Sequence, residues 1–127
     1  MGGRPPRVLV VEDDPTARQL LSDFLAGEGM VPLAAESGEE ALKIARAEPL
    51  DLVLLDICLP GISGYEVIQQ LRAERGTATL PIISLSGYEV NSARLADRTI
   101  PTLAKPIELP RLARAISQVR EKNTVSV

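Results

Sequence analysis

The sequence predicts a doubly wound α/β domain, an open sheet of five parallel strands with helices on both faces. Three observations predict it. Short apolar runs without polar alternation, such as Val8-Leu9-Val10-Val11 and Leu52-Val53-Leu54-Leu55, suit strands buried on both sides. Segments with the apolar spacing of amphipathic helices lie between those runs, and such alternation implies parallel strands joined by right-handed crossovers. At 127 residues the chain has the length of one ordinary domain, with an ordered core over about residues 6–122 and a frayed tail over residues 123–127.

The elements follow in order. Arg7 to Val11 reads as the first strand, and Asp14-Pro15 as the start of a helix. Ala17, Leu20, Leu21, Phe24 and Leu25 fall on one face of that helix, and Gly27 and Gly29 end it. Val31 to Ala35 is the second strand. Ser37-Gly38-Glu39-Glu40 has the form of a capping box before Ala41, Leu42 and Ala45, with Pro49 as the stop. Leu52 to Leu55 is the third strand, ending at Asp56, and Ser63 to Glu66 is a second capping box opening a helix through Val67, Ile68 and Leu71 that Gly76 closes. Leu80 to Leu85 predicts the fourth strand, Asn91 to Ala96 a short helix, and Thr102 to Ala104 the fifth strand. Leu109, Leu112, Ala113, Ile116 and Val119 stripe a fifth and last helix.

Composition narrows the chemistry. Apolar residues make up 45% of the chain, yet there is no Trp, two Tyr and one Phe, so the core must be aliphatic. The net charge of -3 offers no general attraction to a nucleic-acid backbone. With no His and Cys58 alone, neither an intrachain disulfide nor a zinc site of the usual ligands can form, so any metal must be held by oxygen. No apolar run approaches the roughly 20 residues that span a bilayer, and Met1 to Arg7 lacks the apolar middle of a signal peptide. A cytoplasmic location is expected.

In a doubly wound sheet the working site lies outside the carboxyl ends of the strands. Glu12 and Asp13 follow the first strand, Asp56 the third, Ser86 the fourth and Lys105 the fifth, so these residues should gather along one edge. Each alone has an ordinary explanation as a strand-end polar group, and Asp14 beside Pro15 serves as a helix cap. Together, Glu12, Asp13 and Asp56 would place three carboxylates in one crevice, with repulsion of about 4 kcal/mol per close pair at moderate screening. A divalent cation relieves that, and Mg²⁺ suits a small set of oxygen ligands. Asp56 then suggests a nucleophile toward phosphorus, with Lys105 and Ser86 supplying a charge and a hydroxyl for the transferred group. Ser84, two positions earlier, reads as structural.

The motifs Val-Leu-Val-Val-Glu12-Asp13-Asp14, Leu-Val-Leu-Leu-Asp56-Ile-Cys-Leu-Pro60-Gly61, Ser63-Gly64, Leu-Ser86-Gly and Ala-Lys105-Pro106 resemble, in order, those of the receiver domains of two-component response regulators. The resemblance covers nearly the whole chain and implies a flavodoxin-like strand order of 2-1-3-4-5. It implies that Glu12 and Asp13 are the metal-binding acids, that Asp56 is phosphoacceptor and metal ligand, and that the Cys58 main-chain carbonyl is a further ligand. It implies Ser86 as switch hydroxyl and Lys105 as phosphate-binding lysine, with Mg²⁺ as cofactor and Mn²⁺ as a substitute. The implied partners are a sensor histidine kinase or phosphotransfer protein, and a downstream protein or fused output domain, with no nucleic acid or membrane bound by this domain. Whether the chain stands alone or is a piece of a hybrid kinase is open.

Two departures stand out: Thr102 occupies the position three before Lys105 where receivers commonly place an aromatic residue, and the stretch from Ser86 to Lys105 is short. Cys58 and Tyr88, each two residues beyond a site residue, are expected to modulate phosphate lifetime from opposite lips of the pocket. A receiver fold that no longer takes phosphate is disfavoured by the complete residue set. A hydrolase of the haloacid dehalogenase type would want a second Asp where Cys58 stands.

Overall fold

The structure, a computed structural model, describes residues 3–125. Its five strands are β1 (Arg7–Val11), β2 (Val31–Ala35), β3 (Leu52–Asp56), β4 (Ile82–Ser86) and β5 (Thr102–Ala104). All pair in parallel, in the order β2-β1-β3-β4-β5. The α-helices among the described residues are α1 (Pro15–Gly27), α2 (Gly38–Ala47), α3 (Gly64–Ala73) and α4 (Leu109–Val125). The doubly wound architecture is as the sequence predicts, and the strand order is the one the receiver resemblance implies.

Successive strand residues serve opposite faces. Leu9, Val11, Val53 and Leu55 pack with Ala41 and Leu42 of α2 and with Val67, Ile68 and Leu71 of α3. Val8, Val10, Leu52 and Leu54 pack with Leu21 and Leu25 of α1 and with Leu112 and Ile116 of α4 on the other side. Strand residues buried on both faces need no polar alternation, which is why β1 and β3 read as continuous apolar runs. β2 is an edge strand and carries Pro32 within it, opposite Val8 of β1.

Several local expectations are corrected. The short helix expected over Asn91 to Ala96 is a single 3-10 turn, Ser92–Arg94, so among the described residues four α-helices and not five alternate with the strands. The Asn91 side chain caps this turn by accepting from the Ala93 N–H, but Asp97 is drawn away into an ion pair with Arg72 at 3.0 Å. Leu95, between them, packs against the core. β4 starts at Ile82 and not Leu80, because Pro81 has no N–H to give a ladder and the Leu80 N–H turns back to the Thr77 carbonyl. Leu20, on the buried stripe of α1 by spacing, is 53% exposed, so Leu21 and Leu25 carry that packing.

Ser63 and Glu66 form the full reciprocal capping box, but Ser37 makes half of one. Its hydroxyl accepts from the Glu40 N–H, while the Glu40 carboxylate reaches the N–H of Glu36 and not that of Ser37. The backbone of α4 is helical to Val125, beyond the fraying expected from Asn123; residues 126 and 127 of that tail lie outside the described residues.

Candidate functional site

Parallel register brings the strand-end residues together. Asp56 is the last residue of β3 and lies opposite Leu85, while Ser86 closes β4 opposite Ala104, so Lys105 emerges one residue beyond β5. The Lys105 N–H donates to the Ser86 carbonyl at 2.8 Å, continuing the ladder past the strand. The Lys105–Pro106 peptide is cis.

The Lys105 ammonium bridges two buried acids, donating to Glu12 Oε1 at 2.6 Å and to Asp56 Oδ2 at 2.9 Å. The remaining oxygens are also occupied: Asp56 Oδ1 accepts from the Cys58 N–H at 3.0 Å, and Glu12 Oε2 from the Asp14 N–H at 3.2 Å. Glu12 is 1% and Asp56 3% exposed, whereas Asp13 faces solvent. One carboxylate oxygen from each of the three lies within 4.8 Å of the others. Burial pushes the Glu12 carboxyl above its ordinary pKa, the hydrogen bond from Lys105 pulling the other way. For Lys105, burial works against the charge, but the hydrogen bonds to Glu12 and Asp56 outweigh it and raise the ammonium above its ordinary value. One ammonium cannot neutralise three carboxylates, so the crevice retains negative charge and an all-oxygen donor set suited to a hard divalent cation.

Ser86 sits on the same edge but is engaged elsewhere. Its hydroxyl donates to the Tyr88 carbonyl at 2.6 Å and accepts from the Tyr88 N–H at 3.1 Å. Tyr88 is 77% exposed, and Cys58 is exposed at the head of the loop after β3. Ser84, fully buried, donates to the Pro101 carbonyl and bonds the Thr102 hydroxyl at 2.7 Å, a structural role.

The supports of the site come from neighbouring elements as well as from the loop itself. Arg18, in the first turns of α1, donates through Nη1 to the carbonyls of Glu12 at 2.9 Å and Asp13 at 3.4 Å, fixing the turn that presents both acids. Gly64 opens α3 against the chain it leaves: a Cβ there would lie 2.6 Å from Ile57 Cα and 2.7 Å from the Asp56 carbonyl oxygen. Gly61 has φ 77°, and the Glu39 carboxylate of α2 accepts from the next N–H, that of Ile62, at 3.4 Å. The loop between β3 and α3 is thus held at both ends. The positive φ at Gly61 had a signal in the Pro60-Gly61 dipeptide; the reach of Arg18 and Glu39 across elements had none.

The fold and site define a doubly wound α/β domain with an acid cluster and a bridging lysine at the carboxyl edge of its sheet. Comparison with known proteins gives its family: the response regulator receiver domain matches residues 8–117, and the chain belongs to that family. It is therefore a receiver domain of two-component systems. It is similar to the sensor histidine kinase GacS of Pseudomonas protegens, 34% identical over an alignment that covers 91% of this chain and 13% of the kinase. It is similar also to the protein PilH of Pseudomonas aeruginosa, 30% identical across 89% of this chain and 96% of PilH. Among solved structures, the response regulator TrrA of Thermotoga maritima in complex with Mg²⁺-BeF superposes with a TM-score of 0.77 at 34% identity, covering 90% of this chain and 98% of TrrA.

Proposed function

We propose that the domain takes a phosphoryl group onto Asp56 from the phosphohistidine of a sensor kinase or phosphotransfer protein, and that the change alters which proteins it binds. The observation that carries this reading is the Lys105 ammonium set on the Asp56 carboxylate at 2.9 Å, beside Glu12 and Asp13. The Asp56 carboxylate attacks phosphorus, the P–N bond to the donor imidazole breaks, and its electron pair leaves with the imidazole. Lys105 meets the charge of the transferred group, and the Ser86 hydroxyl, turning from Tyr88, donates to one of its oxygens. Glu12, Asp13, Asp56 and the Cys58 main-chain carbonyl would hold Mg²⁺, which offsets the charge that otherwise opposes an anionic donor. The donor set fits the ion, and TrrA with its Mg²⁺-BeF lends support by similarity.

Intact mass after incubation with acetyl phosphate tests the reading: one phosphoryl group gained with Mg²⁺, and none with a chelator. Uptake of no phosphoryl group under either condition would leave an interaction module without chemistry. The kinase-fused relative GacS and PilH, which this chain matches over nearly its whole length, support a hybrid-kinase fragment and a stand-alone regulator equally. Among the described residues no helix is long and apolar enough to cross a membrane.

Two further outcomes test the site. Asp13→Asn should weaken Mg²⁺ binding at least tenfold, about 1.4 kcal/mol, because each carboxylate offsets part of the dehydration of the ion. In the absence of metal the same variant should resist urea better than the wild type, since a repulsive charge is gone. A lower metal-free midpoint would mark Asp13 as structural. Tyr88 and Cys58 are proposed as modulators of phosphate lifetime: the exposed ring is free to lie over the in-line path of water, and Cys58 offers no carboxylate to orient that water. Tyr88→Ala should then shorten the phosphoryl lifetime several-fold, on the order of 1 kcal/mol in the barrier, at unchanged Mg²⁺ affinity. An unaltered lifetime would assign the ring to the recognition surface.

A further inference from the structure

We propose that Tyr65 is a positioning residue for Ser86: by pinning the crossover after β4 to α3, it keeps the Ser86 hydroxyl bound to Tyr88 and sets how readily a phosphoryl group can claim it. This rests on the phosphoryl-transfer reading above, and adds a control point on α3.

Residues 87–101 connect β4 to β5 without an α-helix, and the single 3-10 turn Ser92–Arg94 gives them little regular hydrogen bonding. Named contacts do so instead. The Tyr65 hydroxyl oxygen accepts from the Asn91 N–H at 2.8 Å, and the Arg94 guanidinium lies over the Tyr65 ring, 4.2 Å from its centroid. One α3 side chain therefore holds the crossover at two points a single turn apart. Its own base is fixed, because the preceding residue is Gly64, packed against the Asp56 carbonyl and the Ile57 backbone. Glu89 and Val90 alone separate Asn91 from Tyr88, and Val90 packs on the core, so an anchored Asn91 restricts how far Tyr88 can withdraw.

The chemistry of the hydroxyl supplies the coupling. A serine hydroxyl has one proton to donate, and here it goes to the Tyr88 carbonyl at 2.6 Å. Donation to a phosphoryl oxygen on Asp56 must take that proton away and leave the Tyr88 carbonyl to find another partner. Where Oγ swings toward Asp56 it also gives up the Tyr88 N–H, so the turn at Tyr88 opens, and the Tyr65 to Asn91 hydrogen bond resists that movement. The unphosphorylated arrangement is thereby favoured by a residue that touches neither the acids nor the hydroxyl.

Tyr65→Phe isolates the effect, since it keeps the ring, its packing and the Arg94 contact and removes the acceptor. In unphosphorylated protein, amide exchange at Asn91 should quicken. With acetyl phosphate and Mg²⁺, the steady-state ratio of phosphorylated to free protein, read by intact mass, should rise roughly three- to tenfold, the change that one net hydrogen bond commands. The same substitution in a Ser86→Ala background should leave that ratio unmoved, because the group through which Tyr65 acts is gone. Unchanged Asn91 exchange, an unchanged ratio in Tyr65→Phe, or an equal rise in the Ser86→Ala background would each overturn the proposal. If the wild type itself takes up no phosphoryl group, the functional reading falls and this one with it; if it does and Tyr65→Phe behaves alike, the positioning role alone is lost.

Discussion

Asp56→Asn is expected to abolish phosphoryl uptake while the domain stays folded. The amide keeps the shape of the side chain but has no anionic oxygen to attack phosphorus. Its surroundings tolerate the change unevenly. Asp56 Oδ1 accepts from the Cys58 N–H and Oδ2 from Lys105, so an amide can satisfy one of these and must face the other donor with its own NH₂. That loss costs about 1–3 kcal/mol. It is opposed by relief of repulsion toward Glu12 and Asp13, whose oxygens lie within 4.8 Å. The net change in a urea midpoint should therefore be small beside the loss of activity. A hydroxylamine-labile phosphate on the Asn variant, detected by intact mass, would place the acceptor on another residue.

Lys105→Met should have the next largest consequences, on stability as well as chemistry. The ammonium is the counter-charge shared by Glu12, 1% exposed, and Asp56, 3% exposed, and Met fills much of its volume while supplying no charge. Removing one partner of a fully buried pair costs about 3–5 kcal/mol; because the Lys105 side chain is 28% exposed, about 2–3 kcal/mol is the reasonable expectation here. Burial already raises the Glu12 carboxyl above its ordinary value of 4.5, with Lys105 pulling it down, so without Lys105 it rises further. A folded state that holds its proton more tightly than the unfolded chain loses stability as pH rises past the unfolded value. The variant should thus be least impaired near pH 4 and increasingly so toward pH 7, a deficit that added Mg²⁺ reduces. Phosphorylation should slow by about 10²-fold or more. A urea midpoint deficit independent of pH and Mg²⁺ would mean that Lys105 acts through packing alone.

What could be read from the sequence depended on how local its physical cause was. Buried strands, amphipathic stripes and the Ser63 to Glu66 box arise within a few residues, and the strand-end placement of Glu12, Asp56, Ser86 and Lys105 follows from the doubly wound order alone. Ser84 reads as structural from its distance to the strand end, and its bonds to Pro101 and Thr102 agree. Thr102 was legible as a departure, but not as a partner of Ser84, eighteen positions away in sequence. Asn91 to Ala96 has helical composition, yet the tertiary pull of Arg72 on Asp97 and of Tyr65 on Asn91 decides its shape. Leu20 had the right spacing for a core residue; spacing places a side chain on a face but does not say where that face ends. The roles of Arg18, Glu39 and Tyr65 lie in contacts between elements, for which a single sequence carries no signal.

Pro32 has a consequence for the protein at high concentration. On β2, Val31 gives its N–H to the Pro6 carbonyl and Ala35 its carbonyl to the Glu12 N–H, so the odd-numbered residues face β1 and the even-numbered ones face outward. Pro32 therefore falls where the strand would offer a donor to a newcomer, and it has none to offer. A strand from another molecule adding to this edge would meet a gap in its hydrogen-bond ladder and a ring in its path, which discourages growth of the sheet from one chain to the next.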